Sequence, residues 1–209
     1  DIKVFSGTFF CVILETMQQM SIKSTFSPIF SVNCTKEIFD NRKIERIYDN
    51  IKRGIIHMKV AVTGSLKAGE NAPIIYRGDF KNIFPMMRED GFGAVELHLR
   101  DSREIDRKKL DNELKKNSLT LTSIGTGGAY GTWHLNIADH DKDIRKKAIE
   151  CLKEHMITAS PYEGVIIIGS MQGRFKDAGS PEEFVNNVEE SLDILDRMAQ
   201  EYGVYIGYE

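Results

Sequence analysis

From Met58 onward, short β-branched apolar runs alternate with longer stretches whose apolar residues recur at helical spacing. Lys59-Val-Ala-Val-Thr63 reads as a buried strand running into Gly64-Ser65. A helix is expected from about Asp79, with Ile83, Phe84 and Met87 inward and Gly91 as its stop; Pro85 either kinks it or marks its first turn. Ala94-Val-Glu-Leu-His-Leu99 is the second strand. Asp106 to Lys116 is a short charged helix with Leu110 and Leu114 on one face, closed by Asn117. Leu119 to Ile124 is the third strand. It enters Gly125-Thr-Gly-Gly128 and then a long loop through Trp133 to Asp141, a good N-cap. The helix behind Asp141 sets Ile144, Ala148, Leu152, His155 or Met156, and Ala159 on one face. Val165-Ile-Ile-Ile168 is the fourth strand, apolar on both faces as parallel strands are. Ser180-Pro-Glu-Glu183 has the form of a capping box. It opens a helix carrying Phe184, Val188, Leu192, Leu195, Met198 and Tyr202 to Gly203. Val204 to Tyr208 is the fifth strand, followed by Glu209.

Five parallel strands joined by four helices fit two α/β architectures: an open doubly wound sheet, or a (β/α)8 TIM barrel truncated after strand five. An open sheet ordinarily covers its last strand with a further helix. Dinucleotide binding is poorly supported as well. Gly125-Thr-Gly-Gly-Ala-Tyr-Gly131 lacks the last glycine of GxGxxG, because Tyr130 stands there, and the expected helix starts about ten residues later. At roughly 36 residues per unit, eight units take about 290 residues, a usual barrel size. The truncated barrel is the better account.

Composition divides the chain at Met58. Residues 1–57 carry eight Lys/Arg against six Asp/Glu and show little sustained period; residues 58–209 carry 20 against 25. Lys52-Arg53-Gly54 can be encoded by a purine-rich stretch where a bacterial ribosome-binding site would precede the Met58 codon. Residues 1–57 are therefore expected to be upstream read-through. The rival is an N-terminal extension with one helix near Lys36–Lys52, where Ile44, Ile47 and Ile51 share a face. No function is assigned to them. A net charge of −3 gives no basic excess for a duplex-binding surface, so a nucleic-acid partner is not expected. The apolar run Val4 to Leu14 is too short and too interrupted to span a membrane. Cys11, Cys34 and Cys151 form no metal or disulfide pattern, which suits reduced thiols in the cytoplasm.

In a barrel the chemistry lies at the C-terminal ends of strands and in the loops behind them. That rule selects Thr63 and Ser65; Glu96, His98, Arg100 and Asp101; Ser123 and Gly125–Gly128; Ser170, Gln172 and Arg174; and Glu209. Each has a plainer explanation. His98 can be a hydrogen-bonded rim residue sharing a strand face with Glu96. Asp101 can close a turn, the glycines can serve only a tight loop, and Gln172-Gly-Arg174 can cap carbonyls or meet a polar ligand. Trp133 and His134 can cover the barrel mouth or plug it. Glu209 differs: a carboxylate directly after an apolar strand is costly unless a cation or proton relieves it, which favours a metal ligand or general base.

Gly91-Phe-Gly-Ala-Val-Glu-Leu-His-Leu-Arg-Asp101, Leu121-Thr-Ser-Ile-Gly-Thr-Gly127, Asp141-Lys-Asp-Ile-Arg145 and Val165-Ile-Ile-Ile-Gly-Ser-Met-Gln-Gly173 follow in order. Together they make 58–209 resemble the first part of the sugar phosphate isomerase/epimerase family, with its xylose isomerase-like TIM barrel. The resemblance implies a divalent metal ion (Mn, Mg, Co or Zn), held by a Glu ending strand five and by an Asp, a His and a Glu from later strands. Val204-Tyr-Ile-Gly-Tyr-Glu209 matches the first of these, which implies a metal-binding and acid/base role for Glu209. His98, Gln172 and Arg174 are then expected to contact a small sugar or sugar phosphate. The implied reaction is isomerisation or epimerisation through an ene-diolate, by a cytoplasmic enzyme that is a homo-oligomer at full length. The fragment alone is expected to be inactive. An apurinic endonuclease-like phosphodiesterase of the same superfamily and a non-catalytic sugar-binding barrel are the alternatives. The −5 balance of 58–209 speaks against the first.

Overall fold

The structure, a computed structural model, describes residues 60–208 apart from 70, 71 and 73. The expectations for 1–57, including the helix near Lys36–Lys52, and those for Glu209 lie outside the described residues. Six parallel strands form one sheet: β1 (Ala61–Ser65), β2 (Tyr76–Arg77), β3 (Ala94–His98), β4 (Thr120–Gly125), β5 (Val165–Ile167) and β6 (Tyr205–Gly207). Their order is β2-β1-β3-β4-β5-β6. The expected five are therefore joined by a sixth. β2 is two residues long, too short for any periodicity to show, and pairs with Gly64 and Ser65 through the main chain.

Each strand turns one row of side chains to the helices and the other away from them. Val62, Val95, Leu97, Leu121, Ile124, Ile166 and Ile206 are buried in the core. A methyl group at Gly64, in the same row as Val62, would meet Met87 and Ile83 of α1 (Phe80–Glu89). The opposite row includes Thr63, Glu96, His98, Val165 and Ile167, all part-exposed, and Tyr205, which is exposed. A doubly wound sheet carries helices on both faces, whereas here the row opposite the helices is part-exposed. The open-sheet alternative is thereby set aside.

The helices follow their caps. Asp79, Asp106 and Asp141 each accept a hydrogen bond from a backbone N–H of the first turn of α1, α2 (Arg107–Lys116) and α4 (Lys142–Ala159). Ser180 does so for α6 (Pro181–Tyr202), which follows the one-turn α5 (Phe175–Ala178), accepting from Glu183 N at 3.1 Å. Pro85 lies inside α1. The helix forgoes one internal hydrogen bond there, and burial of Phe80, Ile83, Phe84 and Met87 offsets the loss. The left-handed position after α2 falls on Ser118, one residue past the expected stop at Asn117, whose side-chain amide donates to Glu113 O at 2.8 Å.

Two differences shape the site. Gly127–Trp133, expected as loop, is a seven-residue helix, α3, that starts two residues beyond β4; its Ala129 is fully buried. Four glycines from 125 to 131 hid it, since glycine is a poor helix former and only packing holds this one. Between Val95 and Glu96 the β3–β4 register slips, leaving Thr122 as an extra residue whose hydroxyl donates to Val95 O at 3.2 Å. After that slip Ser123 pairs with Glu96, and Gly125 with His98.

Candidate functional site

Strand alternation brings Glu96 and His98 to the inner face of β3, and the slip in β4 sets Ser123 and Gly125 beside them. Glu96 Oε1 lies 2.8 Å from His98 Nε2, and Ser123 Oγ donates to Glu96 Oε2 at 2.7 Å. Burial pushes the Glu96 carboxyl up. The hydrogen bonds from His98 and Ser123 outweigh it and hold the group below the ordinary glutamate value. The His98 ring lies over Gly125, where a methyl group would come within 2.7 Å of Cε1 and 2.8 Å of Nδ1. Only glycine fits beneath this imidazole.

Above this wall, α3 joins three rim segments. Thr126 Oγ1 donates to Ile167 O at 2.8 Å and to Ile168 O at 3.2 Å, tying the end of β4 to that of β5. On one flank the Arg100 guanidinium stands 5.5 Å from the Trp133 ring centroid while Nη2 holds both Glu104 oxygens at 2.9 Å. Arg100 is thus neutralised and stacked, a supporting group. On the other flank Arg174 stands 5.6 Å from the Tyr130 ring centroid. Its guanidinium makes no ion pair among the described residues, and it is exposed. Gln172 ends the 3-10 turn Gly169–Gln172 after β5 and is half-buried. Trp133 ends α3 and is 43% exposed at the rim.

Several candidates take structural places. Asp101 caps the 3-10 turn Ser102–Glu104 by accepting from Arg103 N at 2.8 Å, and it grips the Arg103 side chain. Ser65 Oγ donates to His98 O at 2.7 Å, fixing the end of β3 from β1. Gly173, at φ +85°, is required because a methyl group would lie 2.5 Å from Asn136 Oδ1. Sequence reasoning missed Asn136, which braces the loop into α4: its amide donates to His134 O at 3.0 Å and to Asp139 Oδ2 at 2.9 Å. The buried Arg145 donates to Asp139 O at 2.6 Å from the other side. It missed Tyr130 too, whose hydroxyl donates to Asp177 Oδ2 at 2.9 Å. An amphipathic pattern marks neither. Glu209 lies outside the described residues; β6 and the half-buried Tyr208 lead to it. Among the described residues no three His, Cys, Asp or Glu side chains converge as a metal site, and no helix is long and apolar enough to cross a membrane.

The family described as xylose isomerase-like TIM barrel matches residues 84–209, more than half of the chain. No curated protein matches. Among solved structures, D-psicose 3-epimerase from Clostridium cellulolyticum H10, determined with D-tagatose, superposes with a TM-score of 0.55 at 17% identity. The alignment covers 71% of this chain and 51% of that one. D-allulose 3-epimerase from Methylomonas sp., in complex with D-allulose, gives 0.54 at 18% identity, covering 72% and 51%. 3-Keto-D-glucoside 4-epimerase from E. coli gives 0.52 at 16% identity, covering 71% and 56%. The likeness is one of fold, and the chain spans about half the length of these structures.

Proposed function

The chain belongs to the xylose isomerase-like TIM barrel family, and from that premise we propose that it is part of a sugar isomerase or epimerase acting on a ketose or ketose phosphate. The observation that carries the reading is the inner wall of Glu96, His98 and Ser123, a hydrogen-bonded polar surface facing the interior of a barrel-family sheet. Such a surface suits a polyhydroxylated molecule. The solved structures of similar fold point the same way, being epimerases of free or glycosidic keto sugars.

In this reading Glu209, which follows β6, takes the proton next to the ketose carbonyl and leaves an ene-diolate. Delivery of a proton to the same carbon from the opposite face, by a second acid/base group, gives epimerisation, and delivery to the neighbouring carbon gives isomerisation. His98 and Gln172 hold sugar hydroxyls, and Arg174 meets the outer end of the substrate. A divalent cation is proposed as a partner of Glu209, where it would keep the carboxylate ionised and stabilise enolate charge. The described residues supply no further ligand set, and no step is drawn through the ion. The proposed setting is the cytoplasm.

Solvent deuterium incorporation into a panel of ketoses and ketose phosphates by the complete enzyme tests the proton step. Glu209→Gln is expected to lower wash-in at least ~10²-fold, the loss usual for an acid/base residue, whereas His98→Ala should mainly raise KM. Normal wash-in by the Glu209 variant would remove Glu209 from the mechanism.

A further inference from the structure

The hydrogen bonds on the inner wall fix where protons sit. An ionised carboxylate can only accept, so the ring nitrogen facing Glu96 carries a hydrogen, and Ser123 spends its own hydrogen on the second oxygen. Both Glu96 oxygens are then engaged, and the depressed Glu96 titration agrees with a carboxylate held charged. A neutral His98 has one N–H, at Nε2, which leaves Nδ1 bare. That nitrogen has no partner among the described residues, and about a third of the side chain is open to solvent on the interior face. The ring rests on Gly125, which has no side chain to push it out of this position.

We propose that Ser123 and Glu96 are positioning residues that hold His98 in the Nε2–H tautomer over Gly125, so that Nδ1 accepts a hydrogen bond from a hydroxyl of the bound substrate. The consequence is one of specificity. A bare nitrogen backed by a carboxylate welcomes a hydroxyl and repels the oxygens of a phosphate or carboxylate. The β3–β4 wall therefore receives a hydroxyl-bearing carbon, and any phosphate of the substrate lies elsewhere. The inference rests on the reading of this interior as a sugar site, but its first half, the tautomer, stands without it.

Nitrogen-15 NMR of the histidine rings in the full chain tests both halves. At neutral pH, His98 is expected as a single Nε2–H tautomer whose N–H proton is protected from solvent. Glu96→Leu should abolish that protection, and Ser123→Ala should weaken it while Ser123→Thr restores it. A purely structural contribution to folding would not follow this order. An Nδ1–H tautomer, or an unprotected Nε2–H in the wild type, would overturn the assignment without use of any variant. Saturating D-fructose should then shift Nδ1, and inorganic phosphate should not. A shift with phosphate, or D-fructose shifts at other rim residues that spare Nδ1, would overturn the hydroxyl assignment. If neither D-fructose nor ketose phosphates move any rim resonance, the sugar reading itself fails and takes the ligand with it, leaving only the tautomer.

Discussion

Burial makes His155 a neutral imidazole at the back of the rim. Its Nδ1 lies 2.7 Å from Ser102 Oγ and its Nε2 3.7 Å from Cys151 Sγ, while Cys151 donates to Arg100 O at 3.4 Å. Those contacts make a directed chain in which Ser102 O–H points to Nδ1, Nε2–H to sulfur and S–H to the carbonyl. The loop that carries Arg100 and Asp101 is thereby pinned to α4. Burial pulls the imidazole down to about 4, with the Asp101 and Glu154 charges opposing it and Arg103 and Arg107 assisting. The unfolded chain, titrating near 6.5, binds more protons than the folded one between those values. The stabilisation is thus complete above about 6.5 and drains away as pH falls toward 4, by roughly 3 kcal/mol in all. A melting temperature that drops over this window, and a flatter profile for His155→Gln, is the expected outcome. Equal profiles for the two proteins would contradict it. The sequence placed His155 or Met156 on the core face of this helix, and both are buried. Helical spacing could not show that the imidazole meets a hydroxyl 53 positions earlier in the chain.

At the scale of elements, strands were the most legible. Runs such as Val165 to Ile168 and Ala94 to Leu99 carry the β-branched and alternating signals that a barrel strand needs. Connections were the least legible, because their order comes from contacts between distant residues. The extra residue Thr122 decides that Glu96 faces Ser123, and nothing local to β4 announces it. The Gln172-Gly-Arg174 segment illustrates the same point. The segment was open to carbonyl capping or a polar ligand, and the structure shows its glycine making room for Asn136, whose loop is also held by Asn187 and Ser191 of α6. Gly173→Ala meets two obstacles, the positive φ and the Asn136 carbonyl oxygen 2.5 Å from the new methyl. The expected loss is about 1–3 kcal/mol, the range for a strained backbone position. It should be visible in denaturant midpoints and in amide exchange of residues 134–141. Unchanged exchange in that loop would separate Gly173 from the Asn136 brace.

At the scale of the whole molecule, charge bears on the choice between the sugar chemistry proposed and the phosphodiesterase alternative. A phosphodiesterase acting on duplex DNA has to neutralise several phosphates with Lys and Arg side chains, and its affinity then falls steeply with salt. Here the chain carries 28 Lys/Arg against 31 Asp/Glu. Around the rim many of the cations are already engaged: Arg100 and Lys67 by Glu104, Arg103 by Asp101, and Arg107 by Glu154. Arg174 is a rim cation with no carboxylate partner among the described residues, and a single guanidinium can anchor the end of a small molecule but cannot track a duplex. The inner wall adds a carboxylate at Glu96 that would repel a phosphodiester placed against it. The expected outcome is that the full chain shows no retention of abasic-site duplex DNA at about 0.15 M salt and no strand cleavage with any of Mn, Mg, Co or Zn added. Ketoses should shift rim resonances under the same conditions. Binding of the duplex with a log–log salt slope of several units would mean that a cationic track exists after all, and the sugar reading would give way to the nuclease one.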